Sequence, residues 1–280
     1  MALTFDVRRS LLRERDVGTA RREDEEGDAS SFTPCRLEEA FEHIAKQLRS
    51  LAAPLPEPKP SIQTVTFRAR GLSLNPQKLS NALSLSCGLG IAIRMFVDTV
   101  DLECNALGDA GLIVLHEGLL RTGPSATGTS SAPPRCARLF LASNGITSRG
   151  LQSWLKSGLV DSDFFRQVVH IGLTNNRLGD DGLSCLEGAI LDMPHLRTLH
   201  LTRIVLFTDS KSSSIPQVTG PCPLGAEAVR RFAATAQRHL SLTQIFFKQN
   251  GWVRVETRLV ELGVTRSQTP ATLEGSKFIC

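Results

Sequence analysis

The feature that most constrains this chain is an internal repeat. Residues 105–112 read N-A-L-G-D-A-G-L, and residues 176–183 read N-R-L-G-D-D-G-L. Residues 144–151, N-G-I-T-S-R-G-L, follow the same frame. Self-similarity over several tens of residues is typical of a solenoid, in which each unit buries its apolar face against its neighbours. We therefore predict that the chain folds as a stack of similar units.

Each string follows a short segment of the form L-x-x-L-x-L-x-x-N-x-L. The L-x-L alternation predicts a short β-strand with its apolar residues inward, and the Asn side chain is suited to bonding backbone groups that leave the strand. Apolar residues at helical spacing follow each string, so a helix should come next. The clear copies begin at Val97, Cys136, Val168 and Leu196, and two weaker copies begin at Ile62 and Leu242. In the Ile62 copy, Arg70 falls at the Asn position.

These strings and strand segments resemble the ribonuclease-inhibitor-like class of leucine-rich repeats, over residues 62 to about 262. The resemblance implies an α/β horseshoe solenoid of about six repeats, with a parallel inner sheet and outer helices. It also implies a concave face that commonly grips a partner protein. It says almost nothing about chemical activity, because function resides in sites rather than in folds.

The sequence outside the repeats differs in composition from the sequence inside them. Pro residues separate an expected helix from the first strand, and the terminal segments lack apolar periodicity. The predicted organisation is a disordered or polar N-terminal arm (1–33), a capping helix with a Pro-rich connector (34–60), the leucine-rich-repeat domain (61–264) and a flexible tail (265–280).

Irregular spacing indicates two insertions in the repeat domain. Asn105 and Asn144 are 39 residues apart, whereas Asn144 and Asn176 are 32 apart. The excess fits a loop near 122–134, which is rich in Ser, Thr, Gly and Pro. A second loop is predicted near 207–223. Insertions of this kind sometimes carry binding, but flexible surface decoration is the simpler interpretation.

Composition and charge favour a reduced, aqueous compartment. The net charge of +4 comes from Lys and Arg mixed with Asp and Glu, which gives no strong indication of a nucleic-acid partner. The seven cysteines are odd in number and form no C-x-x-C pair, so free thiols are expected. No apolar stretch of membrane-spanning length is present. We expect a cytoplasmic protein; the Arg-rich N-terminus leaves a mitochondrial one as the alternative, against which Asp6, Glu14 and Asp16 argue.

A search for chemistry finds no catalytic motif. G-x-S-x-G, the P-loop and H-E-x-x-H are all absent from the sequence. Residues 88–90 begin like a dinucleotide loop, but Ile93 stands where the third Gly is needed. His170 and His200 fall in different columns of the repeat with no obvious third ligand, so ordinary surface histidines are favoured over a zinc site. We therefore expect no enzyme activity, no cofactor and no metal.

The candidate binding site is the concave face, formed by residues that flank the inward strand positions. Phe140 and Phe246 would lie there without a role in the core, and aromatic side chains ringed by charges are typical of binding hot spots. The alternative is that a neighbouring loop covers them. The candidate partner-binding residues are Arg68, Asp101, Glu103, Arg138, Phe140, His170, His200, Phe246 and Lys248.

The leading functional hypothesis is a non-catalytic protein–protein interaction module, acting as a scaffold or as a subunit of a larger assembly. One alternative is a regulator of an enzyme, such as a small-GTPase-activating protein or an enzyme inhibitor. The GTPase activators that resemble this chain have a long acidic tail, which it lacks. A further alternative is a ribonucleoprotein or mitochondrial assembly subunit, in which the basic N-terminal arm binds nucleic acid.

Overall fold

The computed structural model describes residues 2–16, 34–51, 64–84, 88–120, 135–161, 164–204, 206–207, 221–222, 224–247, 250 and 278–279. Short strands alternate with helices along most of this chain. In order, the elements are β1 (Ala2–Asp6), α1 (Val7–Asp16), α2 (Pro34–Ser50), β2 (Thr64–Arg68), α3 (Pro76–Leu83), α4 (Leu89–Phe96), β3 (Thr99–Asp101), α5 (Gly108–Leu115), a π-helical turn (His116–Leu120), β4 (Arg138–Phe140), α6 (Ser148–Asp161), α7 (Phe164–Gln167), β5 (His170–Gly172), α8 (Gly179–Ala189), a 3₁₀ turn (Ile190–Asp192), β6 (Thr198–His200), β7 (Leu206–Phe207), β8 (Pro221–Cys222), α9 (Ala226–Arg238), β9 (Gln244–Phe246) and β10 (Phe278–Ile279).

The described strands form one large parallel sheet and one small antiparallel pair. Eight strands follow the order β1-β2-β3-β4-β5-β6-β9-β10, and every neighbouring pair is parallel. Strands β7 and β8 pair with each other in antiparallel fashion. Parallel neighbours need crossover connections, and helices supply most of them here. The predicted α/β fold with a parallel sheet is therefore confirmed.

One face of the sheet is packed into the hydrophobic core. The inward residue of each repeat strand lies opposite the next in the pairing register, and each is at most 2% exposed. Burying an aliphatic side chain of this size stabilises the fold by roughly 1.5–3 kcal/mol. These inward residues are Phe67, Val100, Leu139, Ile171, Leu199 and Ile245.

The helices pack on that core face through their own apolar stripes. Leu112, Leu151, Leu183 and Phe232, on α5, α6, α8 and α9, are all fully buried in the same core. The other face of the sheet therefore carries the side chains that alternate with the core residues.

Asparagine side chains connect four of the units to the unit before them. The Oδ1 atom of Asn176 accepts hydrogen bonds from the backbone N–H groups of Asn144 (3.1 Å) and Ile146 (3.0 Å). Its Nδ2 donates to one carbonyl in each unit, both at 2.9 Å. Asn105 and Asn250 make the same kind of contact with their preceding units. Leaving such buried N–H groups without an acceptor would cost about 1–3 kcal/mol each.

The aspartates of the N-x-L-G-D strings form a second set of hydrogen bonds between units, and these bonds were not predicted from the sequence. The Asp109 carboxylate accepts hydrogen bonds from the backbone N–H (2.8 Å) and the hydroxyl (2.6 Å) of Thr147, just before α6. Asp180 accepts from the backbone N–H of Gly225 (2.7 Å), just before α9. Each aspartate thus satisfies backbone or side-chain donors where the helix of a neighbouring unit begins.

The register of the first repeat differs from the prediction by two residues. Phe67 pairs with Val100, so the copy begins at Thr64 rather than at Ile62. Leu72, not Arg70, then falls at the Asn position. Strand alternation has a period of two, so a shift by two residues leaves the same side chains on the same face, and apolar alternation alone does not detect it.

A column of left-handed backbone supports the corrected register. The residue before the Asn position has a positive φ in Cys104 (57°), Ser143 (56°), Asn175 (56°) and Arg203 (52°). Gly71 falls in this column when the first copy begins at Thr64, and its φ is 66°. Glycine adopts this conformation at little steric cost, whereas the other residue types are strained in it.

Residues 2–16, the described part of the predicted disordered or polar arm (1–33), form a strand and a helix. Strand β1 pairs along its length with β2, and α1 packs against α2. The Asp6 carboxylate accepts from the backbone N–H groups of Arg8 (3.0 Å) and Arg9 (3.3 Å) at the start of α1. Val7 and Leu11 are buried while Arg8 and Arg9 stay exposed, so the arginines form the outer side of an amphipathic helix.

Several predicted segments lie outside the described residues. They include the loop near 122–134, most of the loop near 207–223, the Pro-rich connector beyond residue 51 and the part of the repeat domain beyond residue 250. Among the helices that are described, none combines the length and the apolar character needed to cross a membrane.

Candidate functional site

The face of the sheet opposite the core is the candidate site, and we call it the open face. The predicted residues Arg68, Asp101, Arg138, Phe140, His170, His200 and Phe246 lie on its strands, Glu103 follows β3, and Lys248 lies outside the described residues. The pairing register arranges this face in columns. One column contains Thr66, Thr99, Arg138, His170, Thr198 and Gln244, and the next contains Arg68, Asp101, Phe140, Gly172, His200 and Phe246.

The part of the open face on β2 and β3 is an ion-pair patch, formed by Arg68, Arg70, Asp101 and Glu103. Arg68 Nε lies 3.0 Å from Asp101 Oδ2, and Arg70 Nη1 lies 3.2 Å from Glu103 Oε2. Arg68 and Asp101 are direct cross-strand neighbours, which is the arrangement in which opposite charges stabilise a sheet. The charges of this patch are therefore already neutralised within the chain.

The carboxylates of the ion-pair patch are less accessible than predicted. The residue Asp101 is only 7% exposed, and its second oxygen accepts from the backbone N–H of Glu103 at 3.2 Å. Burial and the Asp101 carboxylate raise the pKa of Glu103, although Arg70 opposes this shift. A partner that approached these groups would have to replace existing contacts, so the patch is a poor anchor.

The part of the open face on β4, β5, β6 and β9 is an aromatic ladder, formed by Phe140, His170, His200 and Phe246. The ring centroids of Phe140 and His170 are 4.3 Å apart, those of His170 and His200 are 4.7 Å apart, and those of His200 and Phe246 are 4.1 Å apart. The four rings thus form a continuous row across four neighbouring strands. Each remains partly exposed to solvent.

Gly172 makes the ladder continuous. His170 and His200 belong to different columns, as predicted, so their rings meet only by reaching across the position of Gly172. A Cβ atom at Gly172 would lie 3.3 Å from Cδ1 of Phe140 and 3.7 Å from Nε2 of His170. A larger residue at position 172 would occupy the space through which the rings of Phe140 and His170 approach each other.

The ladder changes the electrostatics of its histidines, which are not the ordinary surface histidines of the prediction. Burial, the neighbouring His200 and the Arg138 guanidinium lower the pKa of His170 to about 4. Burial also lowers the pKa of His200. Both imidazoles are therefore neutral at neutral pH. The Nε2 atom of His170 is buried and has no hydrogen-bond partner within the described structure.

Arginines on the ladder's strands and next to them lack ion-pair partners among the described residues. Residues 136–144, 168–176, 196–204 and 242–247 contain no Asp or Glu. Arg138 lies in the ladder's first strand, and Arg197 and Arg203 stand immediately before and shortly after β6. Within the part of the chain that is described, none of these three arginines forms an ion pair.

The described residues offer no candidate metal site. They contain no group of three or more His, Cys, Asp and Glu side chains that is arranged to hold a metal ion. The paired histidines of the ladder have rings on either side instead of further ligands.

Comparison with known families supports the repeat interpretation. Residues 95–115 and 169–186 match the family model described as leucine rich repeat. The first match includes β3 and α5, and the second includes β5 and most of α8. Both contain an N-x-L-G-D-x-G-L string. No curated protein matches the chain.

Proposed function

We propose that this leucine-rich repeat protein is a non-catalytic interaction module that binds a partner protein on its open face. Leucine-rich repeats generally mediate protein–protein interaction and are typically non-catalytic. The observation that carries the proposal is the aromatic ladder, because it places partly exposed rings on the open face rather than in the core.

The ladder has the physical properties of a binding anchor. Aromatic side chains contribute large contact areas and are enriched among the residues that dominate binding energy. Four rings that already contact each other on adjacent strands need little further ordering when a partner arrives. Of the predicted site residues, Arg138 and the four ladder residues are the ones that this proposal uses.

The finer architecture is part of the same proposal. We propose that the units bearing β2, β3, β4, β5, β6 and β9 are the six expected repeats. We propose that they curve into a horseshoe of the ribonuclease-inhibitor-like class, with the open face concave and the repeat domain spanning 61–264. In this arrangement the protein acts as a scaffold or subunit of an assembly.

The proposed compartment is the cytoplasm, with the mitochondrion as the alternative. Among the described residues, Cys104, Cys136 and Cys185 are free thiols. Burial raises the pKa of Cys136 to about 12, which keeps this thiol protonated and unreactive. Free thiols are the common state of cysteine in reducing compartments, which supports this placement.

Affinity purification with mass spectrometry tests the proposed function. The test variant is Phe140→Glu/Phe246→Glu, which places charges at both ends of the ladder. The matched control is Ile113→Glu/Leu191→Glu, which makes the same apolar-to-acidic change at two residues that are 49% and 46% exposed outside the open face. Circular dichroism verifies that both variants are folded.

We expect a specific partner that the wild type and the control retain and that the ladder variant loses. Retention of every partner by a folded ladder variant would contradict the assignment of the open face. Loss of the same partner from the control would show that binding depends on the outer helices instead.

A further inference from the structure

The two parts of the open face differ in how their charges are balanced. Arg68 and Arg70 each have a carboxylate partner on β3 or directly after it. Arg138, beside the aromatic ladder, has no such partner among the described residues, and neither do Arg197 and Arg203 on either side of β6. A partner that meets the ladder therefore encounters positive charge that none of the described residues pairs with, and that an acidic partner can neutralise.

The stacking of the ladder determines which parts of its rings a partner can reach. His170 contacts the Phe140 ring on one side and the His200 ring on the other, and His200 lies in the same way between His170 and Phe246. The edges of the two histidine rings are consequently more accessible to a partner than their faces. The edge of an aromatic ring carries partial positive charge, which attracts anionic groups.

The buried ring nitrogen of His170 adds a third observation. Its Nε2 atom has no hydrogen-bond partner within the described structure, although it lies in the centre of the ladder. Buried polar atoms are normally satisfied, and an unsatisfied one requires an explanation. The tautomer of the neutral His170 ring that carries its hydrogen on Nε2 has a donor there, and a partner's carboxylate can accept from it and from the Arg138 guanidinium.

We propose that the partner binds through an acidic peptide segment, which places a carboxylate beside Arg138 and apolar side chains along the aromatic ladder. This inference rests on the proposed function and specifies the chemistry of its partner. A single-stranded nucleic acid would also carry negative charge, but it binds such surfaces by stacking its bases on open ring faces. The histidine faces are occupied by neighbouring rings, so the geometry favours the peptide.

Selection from a random peptide library displayed on phage tests this inference. The full chain is immobilised as the wild type, as Arg138→Glu and as the control Arg149→Glu. Arg149 is exposed on α6, so the control makes the same charge change away from the open face. Arg138 is partly buried, so Arg138→Gln is included as a milder variant, and circular dichroism monitors the folding of all three.

We expect the wild type and Arg149→Glu to enrich peptides in which Asp and Glu outnumber Lys and Arg. In fluorescence anisotropy, the consensus peptide should bind Arg138→Gln and Arg138→Glu about tenfold or more weakly, and its affinity should fall as salt is added. Enriched peptides without net negative charge, no enrichment above the empty support, or unchanged binding to both Arg138 variants would overturn the inference.

A fluorescein-labelled oligouridine provides the nucleic-acid arm of the experiment. Saturable binding that both Arg138 variants weaken, without enrichment of acidic peptides, would assign the ladder to single-stranded nucleic acid and overturn the inference. If affinity purification finds a partner that depends on the ladder but the selection yields no acidic peptides, the inference fails and the proposed function stands. If no partner depends on the ladder, the proposed function itself fails.

Discussion

The β2–β3 part of the sheet and the β4–β5–β6–β9 part share one repeat pattern, yet their open faces have different chemistry. Behind both parts the inward residues are fully buried and aligned in the same column. On the open face, the β2–β3 part neutralises its own charges, whereas the β4–β5–β6–β9 part stacks aromatic rings beside arginines that lack ion-pair partners among the described residues. The repeat therefore constrains only the inward positions, and each unit is free to specialise on its open face.

The difference also separates interactions that hold the chain together from interactions that a partner can use. An ion pair with one exposed member contributes little, typically less than about 1 kcal/mol, and its groups are already occupied. A partly exposed aromatic row still has apolar surface to bury. The ladder is thus the better candidate for binding, and three measurements test the comparison.

The largest expected effect comes from charges placed in the shared core. Leu102 and Leu173 occupy the same core position of the repeat, one in the β2–β3 part and one in the β4–β5–β6–β9 part, and they are 1% and 0% exposed. The variants are Leu102→Asp and Leu173→Asp. Each variant should lose about 4 kcal/mol or more of unfolding free energy, because an unpaired carboxylate is buried. Urea unfolding measures the loss. Thr174→Asp, on the partly exposed open face, is the control, and a core variant as stable as this control would disprove the common core.

An intermediate effect should appear when the pH is lowered. His170, which faces Arg138 and Phe140 on β4 and His200 on β6, has a pKa of about 4 in the folded protein against an ordinary value of 6.5. Folding favours the neutral form of His170. Its contribution to the free energy of unfolding is therefore complete above pH 6.5 and is lost as the pH falls towards 4. The loss should be about 2 kcal/mol, after allowance for the partial exposure of the ring.

Urea titrations of the wild type and His170→Gln between pH 7 and pH 4 measure this contribution, and the variant should have the shallower dependence on pH. If the unfolding free energies of the wild type and His170→Gln had the same dependence on pH, the lowered pKa of His170 would be contradicted. The ion-pair patch has the opposite sign: because the pKa of Glu103 is raised, its contribution is present at low pH and declines as the pH rises through that pKa.

The smallest expected effect concerns the ion-pair patch itself. A double-mutant cycle with Arg68→Gln and Asp101→Asn should give a coupling of about 0.5–1 kcal/mol in the free energy of unfolding, because the Arg68 side chain is 45% exposed. The coupling should decrease as salt is added. A coupling several times larger would make this patch a structural centre and would narrow the difference between the two parts.

The sequence predicted the repeated core well because its signals have direct physical causes. Strands β3, β4, β5, β6 and β9 lie where the L-x-L alternation and the inward apolar residues require them. Asn105 and Asn176 bond the preceding unit because a buried amide is suited to satisfy backbone groups there. Such signals are local, so a single sequence is enough to detect them.

The beginning of the chain lacked those signals. The copy at Ile62 has no Asn, and alternation leaves its register undetermined by two residues. The pairing of Phe67 with Val100 and the conformation of Gly71 align it with the others. Strand β1 belongs to no repeat. Helix α1, which follows it, contains Arg8 and Arg9, and these residues made the segment resemble a polar arm in the sequence. Its structure depends on pairing with β2, a contact between segments that are distant in sequence.

The ladder was predicted only in part. Alternation along β4 and β9 placed Phe140 and Phe246 on the open face. The contact between His170 and His200 crosses columns, and the approach of His170 to Phe140 uses space that a side chain at Gly172 would occupy. Both contacts appear only when distances between strands are known. The lowered pKa of His170 follows from the same packing, and a list of residues does not contain it.

The hydrogen bonds of Asp109 and Asp180 have a consequence for how this chain can change. Asp109 reaches Thr147 across the sequence that contains the 122–134 insertion, and Asp180 reaches Gly225 across the one that contains 207–223. Both carboxylates therefore set where the next helix starts without reference to the number of residues between them. The contacts between units at these two helix starts are therefore independent of the length of the sequence between them, so residues can be added or lost there during evolution while the open face keeps its dimensions.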